Sequence, residues 1–383
     1  MAETALAGDR AYEARFLRNA SETAAASSPP TRSAIELHAL LPGYEPTPLR
    51  DAPAAASRLG AARVLVKDES RRFGTSSFKI LGASWAVFRA LVERAGPPLA
   101  SSASLADRRQ RLRPLEKLSL TAATDGNHGL ALALVGGWFG LPTRLYVPET
   151  IPDSRRRCLE DVGAEVVVVG DYEDAVAGAR EASTGAALLI SDTSWPGYET
   201  VPGWISDGYA TLFWELDEQL DRLGVATVAV CAVQVGVGAL AQTALRYFRS
   251  RTERPQVVAV EPFDAACVLE AVAQGRPVRI GGPHRSRMDC LNAGLPSIVA
   301  LPTLEAGIDT FVAVGDGWAD DAVTTLTADG VATTPTGAAG LAGLLALAER
   351  GLSDFGGRTV LLINSEGSPA IPDWASWMPM IHV

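Results

Sequence analysis

VKDESRRFGTSSFKILGASWAVF, residues 66–88, takes the chain from a strand-like run (Val64-Leu65-Val66) through a charged turn, Lys67-Asp68-Glu69-Ser70. A loop of small residues (Gly74, Thr75, Ser76, Ser77) follows, and then a helix through Trp85, Val87 and Phe88. Lys79 is the odd residue, set between Phe78, Ile80 and Leu81 where a solvated lysine normally has polar company. Burial penalises an ammonium, so a lysine in an apolar pocket has its neutral amine favoured and becomes a usable nucleophile. The bland alternative is a lysine whose stem packs on the helix while its head reaches water. The rest of the chain bears on that choice.

Downstream, strands and helices alternate. Leu118–Ala123, Arg144–Val147, Glu165–Val169, Ala187–Ile190, Val225–Val233, Gln256–Val260 and Thr359–Ile363 have the apolar, β-branched character of buried strands. Helical patterns over Asp153–Val162, Tyr172–Ala182, Val201–Leu223 and Gly337–Leu347 lie between them, and a further one runs from the Gly238 turn to Ser250. Strands and helices alternating at these lengths argue for an α/β fold of open, mostly parallel sheets flanked by helices. Residues 262–310 show no regular pattern, and the Pro- and Arg-rich stretch 95–118 reads as a linker.

At 383 residues the chain can bury two compact lobes. Its net charge of −10 argues against nucleic acid or an anionic membrane as the main partner. No signal-peptide pattern and no run of 18 or more apolar residues is present, so a cytoplasmic protein is expected. Cys158, Cys231, Cys267 and Cys290 are widely spaced without a CxxC pair, and of the four histidines only His128 lies in a motif. No metal is expected.

Ligands of an open parallel sheet lie at the C-terminal ends of its strands. Three such ends carry polar or glycine-rich turns: Thr124-Asp125-Gly126-Asn127-His128-Gly129, Ser191-Asp192-Thr193-Ser194-Trp195, and Gln234-Val235-Gly236-Val237-Gly238-Ala239-Leu240. Glycines let a backbone approach closely, and a helix N-terminus offers N–H donors to a phosphate. A dinucleotide site uses similar glycines, but here Ala241 stands at the third position of that fingerprint. Asn127 is also well placed as a helix cap, Asp125 and Asp192 as turn aspartates, and Ser365 as a plain turn serine.

Lys-Asp-Glu-Ser, Arg-Phe-Gly and Ser-Phe-Lys in order, with the Pro46-Thr47-Pro48-Leu49 entry before them, resemble the Schiff-base segment of pyridoxal-phosphate (PLP) enzymes of the tryptophan-synthase-β type. Within that group the Thr-Asp-Gly-Asn-His-Gly and Asp-Thr-x-Trp-x-Gly-Tyr-Glu strings resemble the diaminopropionate ammonia-lyase family. The likeness runs from about Gly43 to Gly367. It implies a two-lobed fold-type-II enzyme with PLP as cofactor, a small amino-acid substrate and a homodimeric assembly. Residues 1–33 would be a mobile arm, 34–88 with 213–383 a large PLP-binding domain, and 89–212 a small domain carrying Asn127 and Asp192.

By the same resemblance Lys79 forms the Schiff base beside Phe78, Gly236, Val237, Gly238, Ala239 and Leu240 hold the phosphate, and Asn127 bonds the ring hydroxyl. Ser365 faces the pyridine nitrogen, and Asp125 and Asp192 reach the substrate's α-carbon from different faces. The implied reaction is β-elimination of ammonia from D- or L-2,3-diaminopropionate. Serine or threonine dehydration, β-replacement, and a PLP-binding protein without turnover are the alternatives. The chain departs from the family at Leu130, at Thr334-Pro335-Thr336-Gly337-Ala338 where an acid is usual, and at Ser368-Pro369-Ala370 where aspartates are usual.

Overall fold

The computed structural model describes residues 3–4, 10–19, 28–95, 104–112, 117–124, 126–183 and 185–367. Its strands in chain order are β1 (Glu3–Thr4), β2 (Ala14–Arg18), β3 (Leu49–Asp51), β4 (Arg63–Asp68), β5 (Ser119–Ala123) and β6 (Thr143–Pro148). They continue with β7 (Glu165–Val169), β8 (Ala187–Leu189), β9 (Val230–Gln234), β10 (Gln256–Pro262), β11 (Thr310–Val314) and β12 (Thr359–Asn364). Two compact units result. The larger takes the described residues of 1–32, 46–71 and 212–368, and the smaller those of 33–45 and 72–211.

The larger unit holds one sheet in the order β1-β2-β11-β10-β9-β12-β4-β3. It is parallel from β11 to β4, with antiparallel pairing at both edges. Val230, Ala232, Val260, Val312 and Leu362 are buried on it against Leu341 and Leu345 of the helix Pro335–Glu349. That helix starts where it does because Thr334 caps it, its Oγ1 accepting from Gly337 N at 3.1 Å, and Pro335 suits the first turn. The smaller unit holds a fully parallel sheet in the order β7-β6-β5-β8. The α/β architecture of mostly parallel sheets is the one the alternating pattern implied.

Four expectations are corrected. Ala14–Arg18 is not part of a mobile arm but strand β2, paired antiparallel to β11 with Phe16 opposite Val312. Ala14 and Phe16 alternate with more exposed residues, which gives a half-buried strand its period of two. The lysine helix, Lys79–Ala95, groups with the smaller unit instead of the larger, packing on the helix Asn127–Phe139. On another side Gly82 allows a close approach to Tyr209 of the helix that begins at Thr200: a Cβ on it would stand 2.5 Å from Tyr209 Cε1.

The stretch 262–310 is less irregular than its pattern suggested, with helices Cys267–Gln274 and Leu301–Gly307. The first is capped from outside, because the Glu261 carboxylate accepts from Val268 N and Leu269 N, each at 2.8 Å. β9 also begins at Val230, later than the apolar run, since Ala226 and Thr227 are exposed.

Within the larger unit, Lys67 Nζ lies 2.6 Å from Glu215 Oε2 and donates to the Thr47 carbonyl at 2.7 Å, with side-chain exposures of 0% and 2% for the ion pair. Removing one partner of such a pair strands a buried charge at a cost of about 3–5 kcal/mol, whereas replacing both is often neutral. Glu215→Leu is therefore expected to lower the calorimetric melting temperature by several degrees. Lys67→Met combined with Glu215→Leu is expected to recover most of that loss.

Candidate active site

In the smaller unit Lys79 opens its helix, and its Nζ donates to Asp192 Oδ2 at 2.7 Å. The side chains are 22% and 17% exposed, so the pair is largely withdrawn from water. This corrects the apolar-pocket expectation: Lys79 has an anion against it, and an opposite charge within bonding distance favours the ionised pair. Burial pushes the Asp192 carboxyl up. The charges of Lys79 and His128 and the Lys79 hydrogen bond pull it down further, leaving it well below the usual carboxylate range.

The apolar side of Lys79 is Phe78, which is buried and whose ring centroid lies 5.7 Å from Nζ. Tyr209 packs edge-on to Phe78 at 4.6 Å. Burial pushes the Tyr209 phenol up to about 12 against the opposing Lys79 charge, so it stays protonated through the neutral range.

β5 leads into the Asn-His-Gly turn. Thr124 Oγ1 accepts from Gly126 N at 3.1 Å and from Gly129 N at 2.9 Å, tying the turn down. Gly126 is the residue before the helix and Asn127 its first residue, so Asn127 is not the cap. Asn127 is half-buried, while His128 is buried and bonded through Nε2 to the Ile190 carbonyl at 2.6 Å. A carbonyl only accepts, so Nε2 carries the proton. Asp125 lies outside the described residues, as do Ser368, Pro369 and Ala370.

In the larger unit β9 is buried along its whole length and runs into Gly236 and Gly238 before the helix Ala239–Arg249. Gly238 has φ +103°, which disfavours any side chain, and a Cβ there would also meet Leu304 Cδ1 at 2.5 Å. No side chain caps this helix start, so its N–H groups and dipole are turned to whatever occupies the turn. β12 lies beside β9 and is followed directly by Ser365, which is buried. Ser365 Oγ accepts from Gln234 Nε2 at 2.6 Å, leaving the hydroxyl proton to be donated onward. Gln234 Oε1 is buried without a hydrogen-bond partner among the described residues.

The divergent segments have a structural use. Thr334 Oγ1 donates to Glu366 Oε1 at 2.6 Å, so the divergent 334–338 segment ties the helix cap to the chain after β12. Three polar residues escaped the sequence argument as site candidates. Tyr209 carries no motif signal, whereas Gln234 opened the glycine turn's string and Tyr198 stood in plain view inside the Asp192 string.

The ion pair has a pH signature. A depressed folded-state value for Asp192 adds stability that is present above the ordinary aspartate pKa of about 3.9 and lost as pH falls through the folded value. The cofactor-free Lys79→Met variant is expected to melt below the cofactor-free wild type between about pH 5 and 8. Calorimetry at falling pH should show that gap shrinking below about pH 4.

Among the described residues no helix is long and apolar enough to cross a membrane. The model of the family "Pyridoxal-phosphate dependent enzyme" matches residues 40–366. Diaminopropionate ammonia-lyase of Salmonella typhimurium is 32% identical over 289 residues, 74% of this chain and 72% of the relative. The crystal structure of holo diaminopropionate ammonia-lyase from Escherichia coli superposes with a TM-score of 0.85 at 27% identity, covering 97% of each chain. The same enzyme in complex with an aminoacrylate-PLP azomethine reaction intermediate gives 0.82 at 27% identity, again covering 97% of each chain. With the family model spanning most of the chain and these relatives matching nearly the whole fold, the chain belongs to the fold-type-II pyridoxal-phosphate dependent enzymes and groups among them with the diaminopropionate ammonia-lyases.

Proposed function

We propose that this protein eliminates ammonia from 2,3-diaminopropionate or a close analogue with PLP as cofactor, giving pyruvate and a second ammonia after hydrolysis by water. The observation that carries the reading is the Lys79–Asp192 pair at 2.7 Å, an amine and a carboxylate held together at the start of the motif-bearing helix. Its context is the family to which the chain belongs. A homodimer in the cytoplasm goes with this reading, and size-exclusion chromatography with light scattering tests the assembly.

The residues present fit the cofactor. The Gly238 backbone leaves a helix start open to a phosphate, Ser365 has a proton to offer a ring nitrogen, and Gln234 Oε1 is an orphaned buried acceptor beside it. Lys79 would hold PLP covalently, Gly236, Val237, Gly238, Ala239 and Leu240 its phosphate, and Asn127 its ring hydroxyl. When bound, PLP supplies an electron sink for the charge that develops at the substrate's α-carbon.

The chain's own groups do the rest. Once Lys79 is engaged elsewhere, Asp192 loses the partner that holds its carboxyl low, and burial then favours its taking up a proton. It is thereby armed as a base at the α-carbon when the substrate is in place. The Lys79 amine can pass a proton to the departing β-amino group. Asp125, by its motif, serves as the base on the other face, with Asp125 assigned to the D-isomer and Asp192 to the L-isomer.

Three measurements test this. Purified holoenzyme given D- or L-diaminopropionate is expected to release ammonia and pyruvate in a two-to-one ratio. Serine and O-acylated serine should be poor substrates, and equal or faster turnover of either would overturn the substrate assignment. Lys79→Ala is expected to lose turnover together with the visible absorbance of lysine-bound cofactor. Asp192→Asn should lose about 10²- to 10⁴-fold in kcat on the L-isomer and much less on the D-isomer. Equal loss on both isomers would reduce Asp192 to a binding group.

A further inference from the structure

The main chain just before Asp192 is held in an unusual way. Among the described residues β8 is an edge strand, paired to β5, and its ladder ends as Ile190 N donates to the Thr121 carbonyl at 2.9 Å. Beyond that bond side chains take over. Tyr198 Oη donates to the Leu189 carbonyl at 2.8 Å and accepts from Ser191 N at 2.9 Å. His128 Nε2 donates to the Ile190 carbonyl at 2.6 Å. Each of the three residues preceding Asp192 is thus pinned by a side chain.

The Tyr198 ring is itself braced. It stacks on Trp195 at 4.4 Å with an interplanar angle of 15°, and Tyr198 N donates to the Trp195 carbonyl at 2.8 Å. The Arg180 guanidinium, from the helix Tyr172–Ala182, covers the Trp195 ring at 4.8 Å. Burial pushes the Tyr198 phenol well above its ordinary value, which keeps it neutral and able to donate and accept at once.

We infer that Tyr198 is a positioning residue for Asp192: its hydroxyl, with His128 as the second anchor, fixes the strand end that presents the carboxylate to Lys79 and to the substrate. The inference rests on the acid–base role assigned to Asp192 under the proposed function. A misplacement of about 1 Å at a reacting group costs on the order of 10²-fold in rate. A residue that acts only through Asp192 loses its effect once that carboxylate is gone.

The test is a double-mutant cycle on the holoenzyme with L-diaminopropionate, using Tyr198→Phe, Asp192→Asn and their combination. Tyr198→Phe keeps the stacked ring and removes both bonds. It is expected to lower kcat about 10- to 100-fold with KM within about threefold, while its melting temperature stays close to wild type. The double variant should be no slower than Asp192→Asn alone. Additive losses, or a Tyr198→Phe enzyme within about threefold of wild type, would overturn the inference while leaving the proposed function standing. Should Asp192→Asn itself keep wild-type activity, the role of Asp192 falls and the inference with it. If Tyr198→Phe is too unstable to assay, His128→Leu removes the other anchor and must show the same non-additivity.

Discussion

A lysine amine and a carboxylate can stay largely out of water side by side only while each holds the other, and Lys79 and Asp192 do so at 2.7 Å. Either charge alone would face a desolvation cost that neither the Phe78 ring nor the surrounding strands could offset. The smaller unit must therefore keep two distant pieces of chain in register, the start of the helix Lys79–Ala95 and the end of β8. The packing around them serves that requirement. Phe78, Tyr209 and the missing Cβ of Gly82 set the helix, and Thr124 ties the turn that carries His128.

The larger unit solves a different problem, the presentation of backbone and neutral donors. Its central strands β9 and β12 are adjacent, and both end in turns whose polar groups are fixed from below. Gln234 donates to Ser365 Oγ and to the Ile363 carbonyl, so the two turns share one amide. The Asn364 amide bonds Asp68 Oδ1 at 2.9 Å, which extends the arrangement to the turn after β4.

Much of this was legible in the sequence, because the strands are apolar runs whether buried along their length, as β9 is, or half-exposed at an edge, as β7 is. Glu165–Val169 is a β-branched run, and the helix Tyr172–Ala182 is announced by Asp171 and Asp174, which form a reciprocal capping box. Both were read with their observed boundaries. The lysine and its motif were equally plain. What escaped was whatever depends on partners far along the chain. The helix Cys267–Gln274 is capped by Glu261, outside the usual capping spacing. The anion beside Lys79 comes from 113 residues away, so local apolar company suggested a pocket where there is a salt bridge. β2 is five residues long with Arg15 and Arg18 among them, and its pairing partner, β11, begins only at Thr310.

That pairing has a consequence for how the protein is made. β2 bonds to β11, with Arg18 opposite Thr310, and β4 bonds to β12, with Arg63 opposite Thr359. The strands of the smaller sheet, by contrast, all fall between Ser119 and Leu189. On the ribosome the smaller sheet has every strand it needs once a contiguous stretch has emerged, whereas the larger sheet waits for β9 to β12, all of which follow that stretch. The early strands β2 and β4 must wait through the emergence of the whole smaller sheet with unsatisfied edges, the condition under which strands find wrong partners. Arginines at both ends of the exposed early strand β2, Arg15 and Arg18, make it a poor template for self-association during that wait.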